Sequence, residues 1–196
     1  MLPPGEYRWE LARGGEPFAL EAASFRDGAI VAARASLDGL TRHEAAARLD
    51  DAGNLAEVSL RYQSSLFRRD ALYRADGDDL RGSVSTVAGR NDIVIKLGRF
   101  REIQPVNLKV FQMLILAHVR ARGQSRWTGR VAVIDPSSLA AAALKQTCRQ
   151  KSATEWIFEA RMGDSEEIQL DERGVIVRCR DNWGGTVRLL TAPPLT

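Results

Sequence analysis

Apolar and polar residues alternate along most of this chain, and short turns rich in Asp and Gly separate the alternating stretches. One such stretch places Val58, Leu60 and Tyr62 on one face of an extended strand, with polar residues between them. The same succession of strand, Asp/Gly corner and strand recurs around Gly77 and Gly174. This pattern is typical of an antiparallel meander. With about ten such strands, the sheet has to curl or close.

The longest apolar run lies in the middle of the chain, from Pro105 to Arg122, and reads PVNLKVFQMLILAHVRAR. Its apolar residues point almost all the way round a helical wheel, which predicts a buried helix. The run is too short and too interrupted to cross a bilayer, for which about 20 apolar residues are needed. We therefore expect no transmembrane segment. The predicted fold is mainly β (α+β): a long curved antiparallel sheet, a half-barrel or roll, wrapped around one central apolar helix.

Two segments are ambiguous between helix and strand. Residues 44–49 have helix propensity, but they lead into a turn at Gly53 and then into the alternating strand, so we pair 43–49 with 54–62 as a hairpin. In residues 139–149, two serines precede a run of alanines, which predicts an N-cap and a second short helix. Tertiary contacts could still draw this second segment into the sheet.

Length, charge and cysteines limit the class of protein. The 196 residues contain no linker rich in Pro, Gly or Ser, so we expect a single domain, 1–196. The net charge of +3 is spread along the chain, and a nucleic-acid partner is not expected without a clustered basic face. Cys148 and Cys179 lack metal-ligand spacing and are interpreted as reduced thiols, with a disulfide as the alternative. The N-terminus lacks the pattern of a signal peptide, which favours a cytoplasmic location, or a periplasmic one if a leader has been removed.

No motif for catalysis, metal binding or cofactor binding is present. The sequence has neither a phosphate-binding loop nor a Gly-x-Ser-x-Gly elbow, and its two histidines, His43 and His118, cannot supply a three-histidine zinc site. His118 lies on the apolar helix. It is either a hydrogen-bonded residue near the helix end, or a polar anchor or general base inside a pocket. Catalytic residues, metals and cofactors are therefore all predicted to be absent, and enzymatic activity stays open.

The last quarter of the chain carries a resemblance to a known group. The segment EEIQLDERGVIVRCRDNWGGTVRLL (166–190) resembles the closing hairpins of half-barrels that cradle a helix. Such half-barrels occur in the bacterial lipoprotein carriers LolA and LolB, and the chain is similar to related domains described as glycolipid-binding. The resemblance covers the order of elements rather than a diagnostic motif. It implies a concave apolar surface that accepts an acyl chain or a similar ligand.

The leading functional hypothesis is the binding of a lipid, glycolipid or other hydrophobic small molecule in a cavity between sheet and helix. The alternatives are an enzyme that uses His118 or a strand carboxylate in the same cavity, and a structural module that forms a homodimer through an exposed sheet edge. The residues predicted to line the cavity are large apolar or aromatic side chains and one histidine. They are Phe111, Met113, Ile115, His118, Trp127 and Trp156.

Overall fold

The computed structural model describes residues 2–96, 102–105, 108–159 and 164–193. Its elements are fifteen strands and one helix, α1 (Lys109–Ala121). The strands before the helix are β1 (Gly5–Arg13), β2 (Glu16–Arg26), β3 (Ala29–Ser36), β4 (Thr41–Leu49), β5 (Leu55–Ser64), β6 (Arg68–Asp76), β7 (Asp79–Thr86), β8 (Gly89–Lys96) and β9 (Glu102–Pro105). Those after it are β10 (Arg126–Ile134), β11 (Ala141–Gln150), β12 (Glu155–Glu159), β13 (Ser165–Leu170), β14 (Ile176–Asp181) and β15 (Gly185–Thr191).

All fifteen strands belong to one sheet, in which β1 pairs with β15 and the strand order runs outward from this pair to β8 at one edge and β9 at the other. Fourteen strands, β1 to β8 and β10 to β15, pair antiparallel with one another, and β9 adds to this sheet parallel to β10. The sheet forms a nearly closed barrel. The predicted curved antiparallel sheet is confirmed, but it has more strands than the sequence suggested and closes further than a half-barrel.

Two hydrogen bonds join the two halves of the barrel near its open seam. The Tyr73 hydroxyl on β6 donates to the Leu139 carbonyl at 2.5 Å, and Arg69 Nη1 donates to the Ser137 carbonyl at 2.6 Å. Both acceptors lie in the turn between β10 and β11, which belongs to the other half of the sheet. The barrel therefore closes partly through side chains where strand pairing stops.

The two ends of the barrel are set by the alternating direction of the strands. We call the end that carries turns 14–15, 37–40, 65–67, 87–88 and 182–184 the upper end. The lower end carries turns 27–28, 50–54, 77–78 and 171–175. Helix α1 starts near the upper end, where Lys109 contacts Glu166 at the start of β13. It ends near the lower end, where His118 contacts Gly53.

Three turns repeat one device, in which an Asp carboxylate binds the backbone of the next few residues. Asp50 Oδ1 accepts hydrogen bonds from the amides of Ala52 and Asn54 at 3.0 and 2.8 Å. Asp171 and Asp181 do the same two and four residues on. The fourth residue of each turn is a glycine with φ between 82° and 87°, a backbone conformation that residues other than glycine rarely adopt. These Asp-x-x-Gly turns explain the corners that the sequence pattern predicted.

Helix α1 is shorter than the predicted 105–122. Pro105 ends strand β9, and Val106 and Asn107 lie outside the described residues. Residues along the whole length of the helix are buried: Lys109, Val110, Phe111, Gln112, Met113, Leu114, Ile115, Leu116 and Val119. No helix in the described parts of the chain is long and apolar enough to cross a membrane.

Of the two ambiguous segments, one was interpreted correctly. The hairpin of 43–49 with 54–62 is confirmed as β4 and β5. The second short helix at 139–149 is wrong, because this segment forms β11, paired with β10 and β12. Ser137 and Ser138 donate to the Asp135 carboxylate in a turn, and Leu139 has a φ of 56°, so no helix begins there. Pairing on both sides outweighs the helix propensity of the alanines.

Candidate functional site: a cleft at the start of the helix

A cleft of about 390 Å³ opens at the upper end of the barrel, beside the first turn of α1. Strands β1 to β3 and β10 to β15 contribute to its walls, together with α1 and the turn after β14. Its apolar lining is formed by Leu11, Phe18, Val133, Leu144, Phe158 and Val187. Its polar lining includes Arg13, Arg34, Lys109, Gln112, Gln146, Asp164, Glu166 and Asp181. The cleft therefore presents apolar side chains together with a set of charged and amide groups.

A buried charge cluster forms part of the polar lining and consists of Glu21, Arg34, Lys109, Gln112 and Glu166. Arg34 Nη2 donates to Glu21 Oε2 at 2.5 Å, and the backbone amide of Lys109 donates to Glu21 Oε1 at 2.5 Å. Lys109 Nζ donates to Glu166 at 2.5 Å and to Gln112 at 2.8 Å, while Gln112 Nε2 donates to Glu166 at 2.6 Å. Each carboxylate is thus held by two donors, as buried charges require.

Glu21 also supplies the cap that the helix sequence lacks. The residue before the helix, Leu108, has no side-chain hydrogen bond to the first turn, and no acidic residue stands in that turn. The Glu21 carboxylate on β2 takes this role by accepting the Lys109 amide. A negative charge at a helix N-terminus is favourable because the amides there point outward without partners. The cluster therefore fixes the start of α1 against the sheet.

At Glu21 and Lys109, burial and ion pairing act on the pKa in opposite directions. Burial raises the pKa of Glu21, and the nearby Arg34 and Lys109 offset only part of that effect. Burial alone would lower the pKa of Lys109, but the Glu166 carboxylate reverses this and the pKa is raised. Burial also raises the pKa of the adjacent Cys179 thiol well above its ordinary value. Cys179 is therefore a protonated, unreactive thiol at neutral pH.

A second, smaller cleft of about 210 Å³ lies over β12, β13 and β14. Its walls include Lys151, Glu167, Arg178 and Arg180, and Trp156 borders it. Trp156 is buried, and its indole Nε1 has no hydrogen-bond partner among the described residues. This cleft is polar and lies over exposed side chains, so it is a weaker candidate than the cleft beside the helix.

None of the six residues predicted to bind a ligand lines the larger cleft. Phe111, Met113 and Ile115 are buried in α1, and Trp127 is buried on β10. None of these residues, nor His118, lines either cleft described above, whereas Trp156 lines the second. His118 donates from Nε2 to the Gly53 carbonyl at 3.0 Å near the lower end, since a carbonyl can only accept. Their contact with a ligand stays a prediction.

The residues of the charge cluster were missed by sequence reasoning, although the sequence contains a sign of them. Charged residues stand at inward-facing positions of three strands: Glu21 between Ala19 and Ala23, Arg34 after Ala32, and Glu166 before Ile168. Strand residues two apart share a face, so a charge in an otherwise apolar set is unusual. Inward charges in an alternating strand therefore mark such a cluster.

The described part of the chain offers no arrangement of three or more His, Cys, Asp or Glu side chains that could hold a metal ion. Cys148 and Cys179 are both buried, and neither forms a disulfide among the described residues. Within the cleft, the carboxylates of Glu21 and Glu166 are already engaged by arginine, lysine and amide donors. The chemistry of the cleft is therefore hydrogen bonding and apolar contact.

Comparison with known proteins supports the fold. No family model matches the sequence, and no curated protein matches it. A DUF1089 family protein from Pseudomonas aeruginosa is 18% identical, covers 85% of this chain and 90% of its own, and has a TM-score of 0.58. A beta-barrel-like protein of DUF1849 from Brucella abortus is 9% identical, covers 96% and 95%, and has a TM-score of 0.64. These similarities support a barrel-like fold, and the finer resemblance to LolA and LolB stays a prediction.

Proposed function

We propose that the protein binds an amphipathic small molecule, such as a lipid or glycolipid, in the cleft at the upper end of the barrel. The observation that carries the proposal is that apolar side chains and hydrogen-bonding groups line one and the same cleft. Sites for small molecules are usually concave and apolar, with a few placed polar groups that orient the ligand. The volume of about 390 Å³ falls at the lower end of the range of roughly 300–1,000 Å³ that such sites occupy.

The charge cluster favours a polar but uncharged head group. Its two carboxylates and two cations are paired with each other, so the lining has no net charge from these four groups. An ionic ligand that engaged the cluster would have to break a buried pair, which is costly. Hydroxyl, ester or amide groups need only share the hydrogen-bonding capacity of Gln112, Glu166 and Lys109. Sugars and glycerol esters carry such groups.

The apolar lining would hold the hydrocarbon part of the ligand. Leu144 and Phe158 come from β11 and β12, and Leu11 and Val187 come from the paired strands β1 and β15. Removing hydrocarbon from water is worth about 0.8 kcal/mol per CH₂ group, so a short chain suffices for measurable affinity. We further propose that the sheet wraps α1, so that Phe111, Met113 and Ile115 would meet only a chain long enough to pass the first turn of the helix.

The test is a binding titration with a fluorescent fatty-acyl probe and two tryptophan variants. Leu144→Trp places a bulky ring in the cleft, and Leu190→Trp places the same ring at an exposed position on β15. We expect Leu144→Trp to weaken binding at least about tenfold, the loss of roughly 1.4 kcal/mol, and Leu190→Trp to leave it unchanged. Absence of binding, or equal affinities for the two variants, would overturn the proposal.

A further inference from the structure

The turns at the upper end carry exposed apolar side chains, and the described turns at the lower end do not. Leu66 is 88% exposed, Val87 is 97% exposed and Trp183 is 71% exposed, each at the tip of a different hairpin. We call this set the apolar tips: Leu37, Leu40, Leu66, Phe67, Val87 and Trp183. The lower end carries charged residues of both signs instead: Asp27, Asp50, Asp51, Asp78, Asp171 and Glu172, together with Arg26, Arg48, Arg122, Lys151 and Arg173. The exposed apolar side chains of the described turns are therefore concentrated at the upper end.

We propose that the apolar tips dock the protein on the surface of a lipid bilayer that contains anionic lipid. Exposed large apolar side chains cost free energy in water, and their grouping at one end of a molecule marks an interaction surface. Trp is favoured at the interface between headgroups and acyl chains because its ring is apolar and its N–H remains polar. The Trp183 indole N–H donates to Asp164 at 2.9 Å, so its polar edge is already satisfied.

The shape of the surface favours a bilayer over a protein partner. The tips come from four separate hairpins, β3–β4, β5–β6, β7–β8 and β14–β15, rather than from one flat patch. A protein interface needs close complementarity across a continuous area. A bilayer is fluid and accepts side chains that project separately, each gaining by its own burial in the headgroup and acyl boundary. A single leaflet can therefore receive all the tips together.

Arginine side chains beside the tips favour a leaflet that contains anionic lipid. Arginines border the tips, and two of them lie over aromatic rings: Arg69 is 4.5 Å from the Phe67 ring and Arg13 is 5.8 Å from the Phe18 ring. Arg42, Arg68 and Arg90 also border the tips, each paired with a carboxylate on its own strand. Because of these pairs, we expect only a severalfold preference for anionic lipid.

The apolar tips surround the end at which the cleft opens, since Trp183 and Phe18 belong to the cleft lining. Docking would bring the mouth of the cleft to the membrane surface. The docking proposal does not rest on the cleft holding a ligand, because the tips other than Trp183 lie outside the cleft lining. The two proposals can therefore fail separately.

Vesicle sedimentation with matched variants tests the proposal. The probe is a vesicle of phosphatidylcholine and phosphatidylglycerol in equal parts, with pure phosphatidylcholine for comparison. The variant Leu66→Asp with Val87→Asp adds two charges to the tips, and Val31→Asp with Leu190→Asp adds two charges at exposed apolar positions on the strands. We expect the tip variant to bind at least about tenfold more weakly, and the strand variant to bind within about twofold of the native chain. Circular dichroism confirms that both variants fold.

Trp183 provides a second readout in the unmodified chain. The other three tryptophans, Trp9, Trp127 and Trp156, are buried. Vesicles with a quencher at headgroup depth should quench Trp183 emission, and Trp183→Phe should remove that quenching. Three outcomes overturn the proposal: no binding to either vesicle, equal binding by the tip and strand variants, or self-association that the tip variant abolishes without any vesicle binding.

Discussion

At the scale of single residues, the charge cluster is the feature with the largest consequences for stability. Glu21, Lys109 and Gln112 are among the few polar residues that the barrel buries. A buried ion pair contributes little in net terms, but removing one partner leaves a charge without compensation. The cluster therefore holds the start of α1 in one position, and each member depends on the others.

We expect Lys109→Met to destabilise the protein by about 3 kcal/mol, because it leaves the Glu166 carboxylate without its cation. The double variant Lys109→Met with Glu166→Gln should recover part of that loss. Urea unfolding gives both values. The control is Lys151→Met, which breaks an exposed pair with Glu167 and should cost less than about 1 kcal/mol. Equal losses for Lys109→Met and Lys151→Met would contradict this account.

His43 makes the stability depend on pH. Burial lowers the pKa of His43 to about 4, and the positive charge of Arg34 adds to this, although Asp135 opposes it. The unfolded chain has a His pKa near 6.5, so between about 6.5 and 4 it binds a proton that the folded chain does not. Stability should therefore fall as the pH falls through this window. We expect His43→Gln to remove about 2 kcal/mol of this dependence, measured by urea unfolding at pH 7 and pH 5. Parallel curves for the two proteins would refute the assignment.

At the scale of elements, strand pairing determined secondary structure that residue propensity alone did not predict. The alternation of apolar and polar residues predicted β5, β8 and β14, because these strands expose one face and bury the other. The alanine-rich β11 has no such alternation, and only its pairing with β10 and β12 makes it a strand. Helix α1 was found because its apolar run is long, but its start depends on Glu21, far away in the sequence.

The seam between the two halves of the barrel is held by the Tyr73 hydroxyl, which donates to the carbonyl of the buried Leu139. Burial raises the pKa of Tyr73 to about 12, so the hydroxyl remains a donor throughout the neutral range. We expect Tyr73→Phe to cost about 1–3 kcal/mol in urea unfolding, because the Leu139 carbonyl loses its partner. Tyr62→Phe is the matched control, since the Tyr62 hydroxyl has no hydrogen bond among the described residues. A loss no larger than that of Tyr62→Phe would show that the seam does not depend on this bond.

At the scale of the whole molecule, the sequence predicts a curved antiparallel sheet with one buried helix, but not how far the sheet closes. Closure depends on pairing β1 with β15 and on contacts such as Arg69 with Ser137, which join distant parts of the chain. The candidate site likewise depends on contacts between distant parts of the chain. Leu11, Leu144 and Phe158 meet only when the barrel forms, so no local pattern could identify them as one lining.

The central claim is that the cleft beside the first turn of α1 holds an amphipathic molecule. Native mass spectrometry of the purified chain tests it most directly, followed by organic extraction and lipid analysis. The account predicts a bound molecule with an uncharged polar head on the native chain and on Leu190→Trp, and its absence from Leu144→Trp. A native chain that carries no such molecule and takes up none from added lipid, or a Leu144→Trp variant that retains it, would contradict the account.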